Sequence, residues 1–303
     1  MSHLVARLVR QASELPPIDS LPAIPRPNRV MMAEPEFFEI ESVDNPHMVG
    51  RVGSVDRFEA RVQWKRLFEA YQEAGSTPDI IPGLPFCPDY VFCANQALPI
   101  PPGLLGPAPA AVASIMRTAR RQAEVRPISE HLETLGVEIV QLDPYSVPRF
   151  EGTGDAQWHP TRALLLGGVG PRSAVQAYER IAAWTGAPAA VFSLVDPRFY
   201  HLDTCLAVVN ERVAVAWPGA FTAEGQDLLR AVFPDLIEVA EEEAMRMVCN
   251  GHSPDGRHFI VQSGSPQAVA RLRSLGIKVL EVETAEFLKS GGSVFCMKLH
   301  HWA

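Results

Sequence analysis

Short strand-like runs alternate with amphipathic helical segments over most of this chain. Apolar residues at helical spacing predict helices at 56–74, 173–184 and 265–275, and a glycine follows each one closely. Strands are predicted at apolar runs, namely 30–32, 90–92, 163–166, 190–195, 206–209, 213–217, 259–261 and 278–282. This alternation is typical of the α/β class.

The N-terminal region is rich in proline, with five prolines between positions 12 and 29. Because proline lacks an amide donor and fixes φ, we expect residues 1–28 to form a tail without regular structure. Residues 1–15 lack the long apolar core of a secretory signal. No shift in composition divides the remainder, so residues 29–303 are predicted to form a single domain.

Composition and charge exclude several classes of protein. Lys and Arg number 27 and Asp and Glu number 35, a net charge of −8 that disfavours binding to a nucleic-acid backbone. No window approaches 18 consecutive apolar residues, so no membrane span is expected. The five cysteines are scattered and odd in number, which favours a reducing, cytoplasmic location over a disulfide framework. Neither C-x-x-C nor H-x-x-x-H occurs, so no zinc site is predicted.

Three segments carry residues suited to chemistry. In the first, at 150–155, Glu151 and Asp155 flank two glycines, where they could bind a cation or share proton transfer. The alternative is a solvated acidic turn. In the second, at 199–205, His201 and Asp203 are two apart and would face the same side of a strand. The alternative is a core histidine beside a surface acid.

The third segment, at 290–297, places Cys296 after a glycine-rich turn. A free cysteine is usually a small buried hydrophobe, and a catalytic one needs a group that stabilises its thiolate. Taken together, the three segments supply a thiol, a histidine and several carboxylates. A thiol nucleophile accompanied by acids suits attack on a positively charged carbon such as that of a guanidinium group, whose nitrogens carboxylates bind well.

In this combination the chain resembles the guanidino-modifying amidinotransferase superfamily, the penteins. It is most similar to the branch of arginine dihydrolases and dimethylarginine dimethylaminohydrolases. The matching segments occur in the same order and cover residues from about 30 to the end, and they lie at 31–35 through 45–48, 88–95, 150–155, 168–172, 199–205 and 291–296.

The resemblance implies a single catalytic domain at 29–303, folded as a fivefold pseudosymmetric α/β propeller, with no metal and no organic cofactor. It implies that Cys296 attacks the guanidinium carbon to give a covalent S-alkylthiouronium intermediate. His201 would protonate the departing amine and then activate water, while Glu151 and Asp203 hold guanidinium nitrogens. Asp155 would also bind substrate, although the spacing E-G-x-G-D here departs from the E-G-G-D of other branches.

Asn95 bears on the number of hydrolytic steps. Deiminases of the superfamily have an aspartate on the matching loop, whereas the dihydrolase-like branch has asparagine. An amide both donates and accepts hydrogen bonds, so it suits a neutral ureido group as well as a guanidinium. We therefore expect two successive hydrolyses, from arginine to ornithine, carbon dioxide and ammonia.

The recognition of the substrate's α-carboxylate is expected to differ from that in relatives. Relatives carry Ser-Arg where this chain has Ser114 and Ile115, so the usual carboxylate-binding arginine is missing. Arg117 or Arg172 would replace it, or else the substrate lacks an α-carboxylate in the usual place. Arg172 and Asn45 complete the predicted substrate contacts.

Four functions stay open at this point. Arginine dihydrolase activity leads, and dimethylarginine dimethylaminohydrolase activity, which gives citrulline and dimethylamine, is second. An amidinotransferase would use an amine in place of water, and a guanidino-binding module would keep the fold without turnover. The expected partner in each case is a small guanidino compound such as L-arginine or a methylated arginine. The superfamily also makes a homodimer plausible.

Overall fold

The computed structural model describes residues 7–303 of the chain, as strands joined by helices. In these residues there are fifteen strands: β1 (Leu8–Val9), β2 (Arg29–Ala33), β3 (Asp79–Ile81), β4 (Ala97–Ile100), β5 (Ala110–Ala113), β6 (Glu138–Gln141), β7 (Ala156–Trp158), β8 (Leu165–Val169), β9 (Ala189–Ser193), β10 (Leu206–Val208), β11 (Val213–Ala216), β12 (Asp235–Glu238), β13 (His258–Gln262), β14 (Lys278–Val282) and β15 (Leu299–His301). The α-helices of the same residues are α1 (Arg57–Glu73), α2 (Ala119–Gln122), α3 (Val125–Thr134), α4 (Gly152–Asp155), α5 (Val175–Thr185), α6 (Leu202–Cys205), α7 (Ala223–Val232), α8 (Glu241–Met245), α9 (Pro266–Ser274) and α10 (Ala285–Leu288). The mixed α/β class is as predicted.

The strands form five small sheets that share one pattern of pairing. In four of them a first strand pairs antiparallel with a second, and the second pairs parallel with a third: β4-β5-β6, β7-β8-β9, β10-β11-β12 and β15-β2-β3. In the fifth, β13 and β14 run parallel, and an antiparallel bridge from His252 to Ile260 takes the place of the first strand. A helix connects the second strand to the third each time, because parallel neighbours need a crossover.

The crossover helices bury one face against the sheets. In α1, Asp56 caps the N-terminus by accepting hydrogen bonds from the amides of Phe58 and Glu59. Leu67 and Tyr71 are fully buried, whereas Phe58, which the apolar spacing placed on the same face, is 73% exposed. The predicted helices at 56–74, 173–184 and 265–275 are confirmed within two residues at each end, as α1, α5 and α9. No helix within residues 7–303 combines the length and apolarity needed to cross a membrane.

The structure differs from the sequence-based expectation at three places. Leu8–Val9 forms a strand that pairs parallel with β9, and Ala12–Glu14 and Ile18–Ser20 form short 3-10 helices, so the prediction that residues 1–28 lack regular structure is wrong at these places; residues 1–6 lie outside the described part. Residues 90–92, expected to be a strand, form turns. His201 and Asp203 do not share a strand face, because Leu202–Cys205 is a helical turn that His201 precedes.

A turn or short helix leads into the first strand of each sheet, and each of these five segments carries a polar residue of interest. Asn95 precedes β4, Glu151 precedes α4 and β7, and His201 precedes α6 and β10. Asn250 precedes the bridge at His252, and Cys296 precedes β15. Three of these segments, those of Asn95, His201 and Cys296, line one small cavity. The other two contact it from behind, since Glu151 bonds His201 and Asn250 bonds Cys296.

Candidate active site

Cys296 is a buried thiol held between an acid and an amide. Its Sγ donates to Asp203 Oδ2 at 3.3 Å and accepts from Asn250 Nδ2 at 3.2 Å. Burial, together with the charge of Asp203, raises the pKa of the thiol well above its usual value, although the Asn250 hydrogen bond opposes this. The thiol is therefore protonated at rest, and a cation placed beside it would favour the thiolate.

His201 also lines the cavity and is tied to Glu151. Its Nε2 lies 2.7 Å from Glu151 Oε2, which accepts a second hydrogen bond from Arg172 at 3.0 Å. The other oxygen, Oε1, accepts from the amide of Arg117 at 2.9 Å. Burial raises the pKa of Glu151, but the His201 hydrogen bond and the charge of Arg172 outweigh it and lower that pKa to about 2. Glu151 is thus an ionised carboxylate that orients the imidazole, since both of its oxygens are already engaged.

Asp155 and Asp203 differ from Glu151 because each keeps one oxygen without a hydrogen bond in the described residues. These atoms are Asp155 Oδ2, 4.0 Å from His201 Nε2, and Asp203 Oδ1. Burial raises the pKa of Asp155 to about 6 and that of Asp203 to about 7. Unpaired oxygens on buried acids are costly unless a donor arrives, so a cationic group that donates hydrogen bonds would complete the site.

Asn95 presents a donor, and its orientation follows from its partner. Arg121 donates from Nη1 to Asn95 Oδ1 at 2.9 Å, and an arginine can only donate. The Asn95 Nδ2 group therefore points away from Arg121, and within residues 7–303 it has no acceptor. Arg121 is itself held by an ion pair with Glu124 at 2.9 Å, so the side-chain amide of Asn95 cannot easily flip.

Arg172 and Asn45 occupy another part of the cavity wall. The Arg172 guanidinium lies 4.8 Å from the centre of the Tyr200 ring and also donates to the carbonyl of Asp44 at 3.2 Å. Asn45 donates to the carbonyl of Ser290 at 2.9 Å, which ties the segment at 45–48 to the segment that carries the thiol. Of the two arginines proposed to replace the missing one, Arg172 lines the cavity, while Arg117 is exposed and contributes its backbone amide alone.

Two glycines allow the cavity to be this tight. A Cβ on Gly154 would lie 2.2 Å from Asn95 Nδ2, and one on Gly292 would lie 2.6 Å from the Phe92 ring and 3.3 Å from Cys296 Cβ. Any side chain at either position would displace a residue of the site. The cavity wall includes Asn45, Asn95, Arg172, His201 and Cys296. The three acids are not part of the wall but lie next to it, Glu151 and Asp155 beside His201 and Asp203 beside Cys296.

Comparison with known proteins identifies the family. A family model described as N,N dimethylarginine dimethylhydrolase, eukaryotic, matches residues 38–302. The chain belongs to this family. The dimethylarginine dimethylaminohydrolase of Mycobacterium tuberculosis is 34% identical over 91% of this chain and 86% of that protein. The bifunctional arginine dihydrolase/ornithine cyclodeaminase ArgZ of Synechocystis is 30% identical over 89% of this chain but 37% of its own length.

Solved structures agree with this assignment. The N-terminal domain of ArgZ, covalently bound to a reaction intermediate, matches with a TM-score of 0.83 and 30% identity, over 90% of this chain and 97% of that one. A dimethylarginine dimethylaminohydrolase with a bound S-methyl-L-thiocitrulline adduct has the same fold, with a TM-score of 0.75 at 21% identity. The resemblance recognised in the sequence, to the dihydrolase and dimethylaminohydrolase branch, is confirmed.

In this member of the dimethylarginine dimethylaminohydrolase family, three residues around the cavity were not predicted from sequence. Asn250 bonds the thiol and also receives the amides of Ser293 and Cys296 on its Oδ1. Arg121 fixes Asn95, and Tyr200 donates to the carbonyl of Gly291 at 2.8 Å. Asn250 occurs in Cys-Asn-Gly-His, which matches no catalytic motif. No group of three or more His, Cys, Asp and Glu side chains suited to a metal occurs in the described part of the chain.

Proposed function

We propose that this protein hydrolyses guanidino C–N bonds, with Cys296 as the nucleophile. The observation that carries the proposal is that Cys296 and His201 line one buried cavity, backed by acids whose unpaired oxygens suit a guanidinium. Membership of the dimethylarginine dimethylaminohydrolase family supports it. The alternatives of a solvated acidic turn and of a core histidine beside a surface acid are disfavoured, since Glu151, Asp155 and Asp203 are all buried and His201 lines the cavity.

The reaction has two halves. The substrate guanidinium donates hydrogen bonds to Asp155 and Asp203, and its charge favours the Cys296 thiolate beside it. The Cys296 thiol gives its proton to His201, and the thiolate attacks the guanidinium carbon. The C–N bond breaks, and His201 passes that proton to the amine that leaves. His201 then takes a proton from water, which attacks the S-alkylthiouronium carbon. The C–S bond breaks, His201 returns the proton to the sulfur, and a ureido product remains.

Glu151 is assigned to His201 in this proposal. Because both of its oxygens accept hydrogen bonds from the protein, it is better placed to orient the imidazole and stabilise the imidazolium than to hold substrate nitrogens. Its predicted role in binding the guanidinium stays a prediction. Asp155, with an open oxygen 4.0 Å from His201 Nε2, takes that role together with Asp203.

Arginine dihydrolase activity is the leading form of the proposal, because of Asn95. The Nδ2 group held outward by Arg121 cannot accept from a guanidinium nitrogen, but it can donate to the oxygen of a ureido group. A first product that is retained in this way can enter a second hydrolysis. The sum is arginine and two waters giving ornithine, carbon dioxide and two ammonia, as in the arginine dihydrolases that this chain is similar to.

Dimethylarginine dimethylaminohydrolase activity is the second candidate. The matching family model and the Mycobacterium tuberculosis relative favour it. The same thiol and histidine would release dimethylamine and leave citrulline. In both cases we propose that Arg172 and Asn45 contact the amino-acid part of the substrate, since both line the cavity.

We also propose how the whole chain is organised. Five sheets with one pairing pattern support a fivefold pseudosymmetric propeller formed by residues 29–303, to which the proline-rich segment at 1–28 is attached. Five free, buried cysteines support a cytoplasmic location. A homodimer is proposed from the superfamily alone.

The test is product identification by mass spectrometry after incubation with L-arginine carrying ¹³C in the guanidino carbon, asymmetric dimethylarginine or agmatine. Cys296→Ser serves as the inactive control. Ornithine with ¹³C-carbon dioxide would support the dihydrolase, and citrulline with dimethylamine the second candidate. In Asn95→Asp we expect citrulline to accumulate at the expense of ornithine; an unchanged ratio would refute the assignment of Asn95. If no guanidino compound is turned over, the proposal fails and the binding-module alternative gains.

A further inference from the structure

A second cavity lies on the far side of the active-site residues. Its wall shares no residue with that of the active-site cavity. The segments that carry active-site residues run onward into it: Leu98 follows Asn95, Val208 follows His201, and His300 follows Cys296. The two cavities are thus walled by successive parts of the same segments.

The charge of this second cavity is unusual for a chain with a net charge of −8. Arg26 and Lys298 both line this cavity, whereas none of the described residues that line it is Asp or Glu. Arg26 pairs with Glu211 at 2.6 Å near the rim, so its charge is largely compensated. Lys298 is 1% exposed, and no carboxylate oxygen in residues 7–303 lies within 4.0 Å of its Nζ.

Lys298 lacks a partner that accepts a hydrogen bond from its ammonium. Its Nζ lies 3.1 Å from the centre of the Phe295 ring, a cation–π contact that offsets part of the cost of burial, and it donates no hydrogen bond to the described residues. Burial lowers the pKa of Lys298 to about 7, despite the opposing charge of Asp203. A buried amine without a partner is completed by an anion that binds beside it.

The remaining wall indicates what kind of anion fits. His252 and His300 are joined by a 3.0 Å hydrogen bond, and burial holds the pKa of each well below its usual value, so they add polarity without charge. Leu98, Val208 and the rings of Trp158 and Phe295 supply apolar surface. One cation among aromatic and aliphatic walls suits a single carboxylate on an apolar body, whereas a phosphate would need more donors.

We propose that this cavity is a binding site for a small organic carboxylate with an apolar or aromatic body, held by Lys298. Occupancy acts on the reaction because Lys298 stands two residues after Cys296, and its charge acts on Asp203, which accepts a hydrogen bond from the Cys296 thiol. A carboxylate that pairs with the ammonium takes that charge away from the thiol, so the anion is an inhibitor that lowers kcat and leaves KM for the guanidino substrate unchanged.

Binding is tested by calorimetry on the full chain with 4-iodobenzoate, its neutral analogue 4-iodobenzamide, and inorganic phosphate. We expect 4-iodobenzoate to bind and the other two to bind at least tenfold more weakly. Lys298→Met should weaken 4-iodobenzoate about tenfold to a hundredfold, the range for a hydrogen bond to a charged group, while Lys65→Met, an exposed lysine, should not. Equal binding of the acid and the amide by the wild-type protein, a comparison that needs no variant to fold, would overturn the proposal.

The location is tested by the anomalous signal of iodine in crystals soaked with 4-iodobenzoate. Iodine in the second cavity, with the carboxylate within hydrogen-bond distance of Lys298 Nζ, supports the site. Iodine in the active-site cavity alone, or nowhere, overturns it. The expected fall in kcat on addition of 4-iodobenzoate rests on the proposed function, whereas neither the calorimetry nor the crystal soak depends on it. Binding without a fall in kcat would overturn the inhibitory role alone.

Discussion

Replacing Asp203 by asparagine should stabilise the protein, and the gain should depend on pH. Asp203 is fully buried, and burial raises its pKa from 3.8 to about 7. A carboxyl whose folded-state pKa is raised contributes stability that is fully present below pH 3.8 and is lost as the pH rises to 7. At about 1.4 kcal/mol for each pH unit, the loss over that window is about 4 kcal/mol.

The assay is urea denaturation of the wild-type protein and of Asp203→Asn at pH 5 and pH 7. The free energy of unfolding of the variant minus that of the wild type should be about 2–3 kcal/mol larger at pH 7 than at pH 5. The accompanying effect on Lys298 increases this difference between the two pH values. Without the charge of Asp203 the buried ammonium is less stable, and this costs the variant more stability at pH 5 than at pH 7. Catalytic activity should fall sharply, because one of the two open carboxylates is gone.

The control is Asp255→Asn. Hydrogen bonds from the amides of Arg257 and His258 lower the pKa of Asp255 in spite of its partial burial, so the sign is reversed and the variant should be less stable at both pH values. Parallel stability curves for Asp203→Asn and the wild type would refute the reasoning. They would mean that Asp203 meets no greater cost of ionisation in the folded protein than in the unfolded chain.

Three further predictions concern the residues around the thiol. Glu151 has a pKa lowered from 4.5 to about 2, so its stabilisation is present above pH 4.5 and lost as the pH falls; wild type should lose about 2 kcal/mol more than Glu151→Gln between pH 5 and pH 3 by urea denaturation. Asn250→Ala should lower the free energy of unfolding by about 3 kcal/mol and, because the thiol loses its hydrogen-bond donor, should slow the labelling of Cys296 by iodoacetamide measured by mass spectrometry. Asn210→Ala removes hydrogen bonds to the amides of Arg212 and Val213 in a distant turn and should leave the labelling unchanged. Arg172→Gln should lower kcat/KM for L-arginine at least tenfold more than for agmatine, which lacks the carboxylate; equal losses would remove Arg172 from substrate recognition.

The pattern of apolar residues along the sequence was sufficient to predict two kinds of element. These are helices whose apolar residues recur with the helical period, and strands formed by one continuous apolar run. Helices α1, α5 and α9 and strand β14 are of these kinds. Strand β1 could not be predicted, because the two residues Leu8 and Val9, which precede the proline-rich stretch, become a strand by pairing with Ala189 and Ala190, which lie far along the chain. The helical turn α4 contains two glycines and has little helical propensity of its own, so its form depends on tertiary contacts.

Residues of the candidate site could be predicted where their type and neighbours are rare in sequences, and they were missed where the residue type is common. A cysteine after two glycines and a histidine near acids are unusual enough to be noticed in a single sequence. Asn250 is an ordinary residue whose importance comes from accepting the amides of Ser293 and Cys296, and these contacts exist only in the folded chain. The division of labour among the acids was also invisible, because it depends on which oxygens the protein itself occupies.

The pairing of β15 with β2 has a consequence for the order in which the enzyme is made. Leu299 pairs with Met31, so the sheet that contains β2 and β3 is completed only after residues more than 200 positions further along the chain have been made. Cys296 stands three residues before that final strand, and its position is fixed when the strand docks. Until residues 299–301 have been made, β2 lacks its antiparallel partner, and a chain truncated before Leu299 would carry Cys296 without the strand that anchors its segment on the C-terminal side.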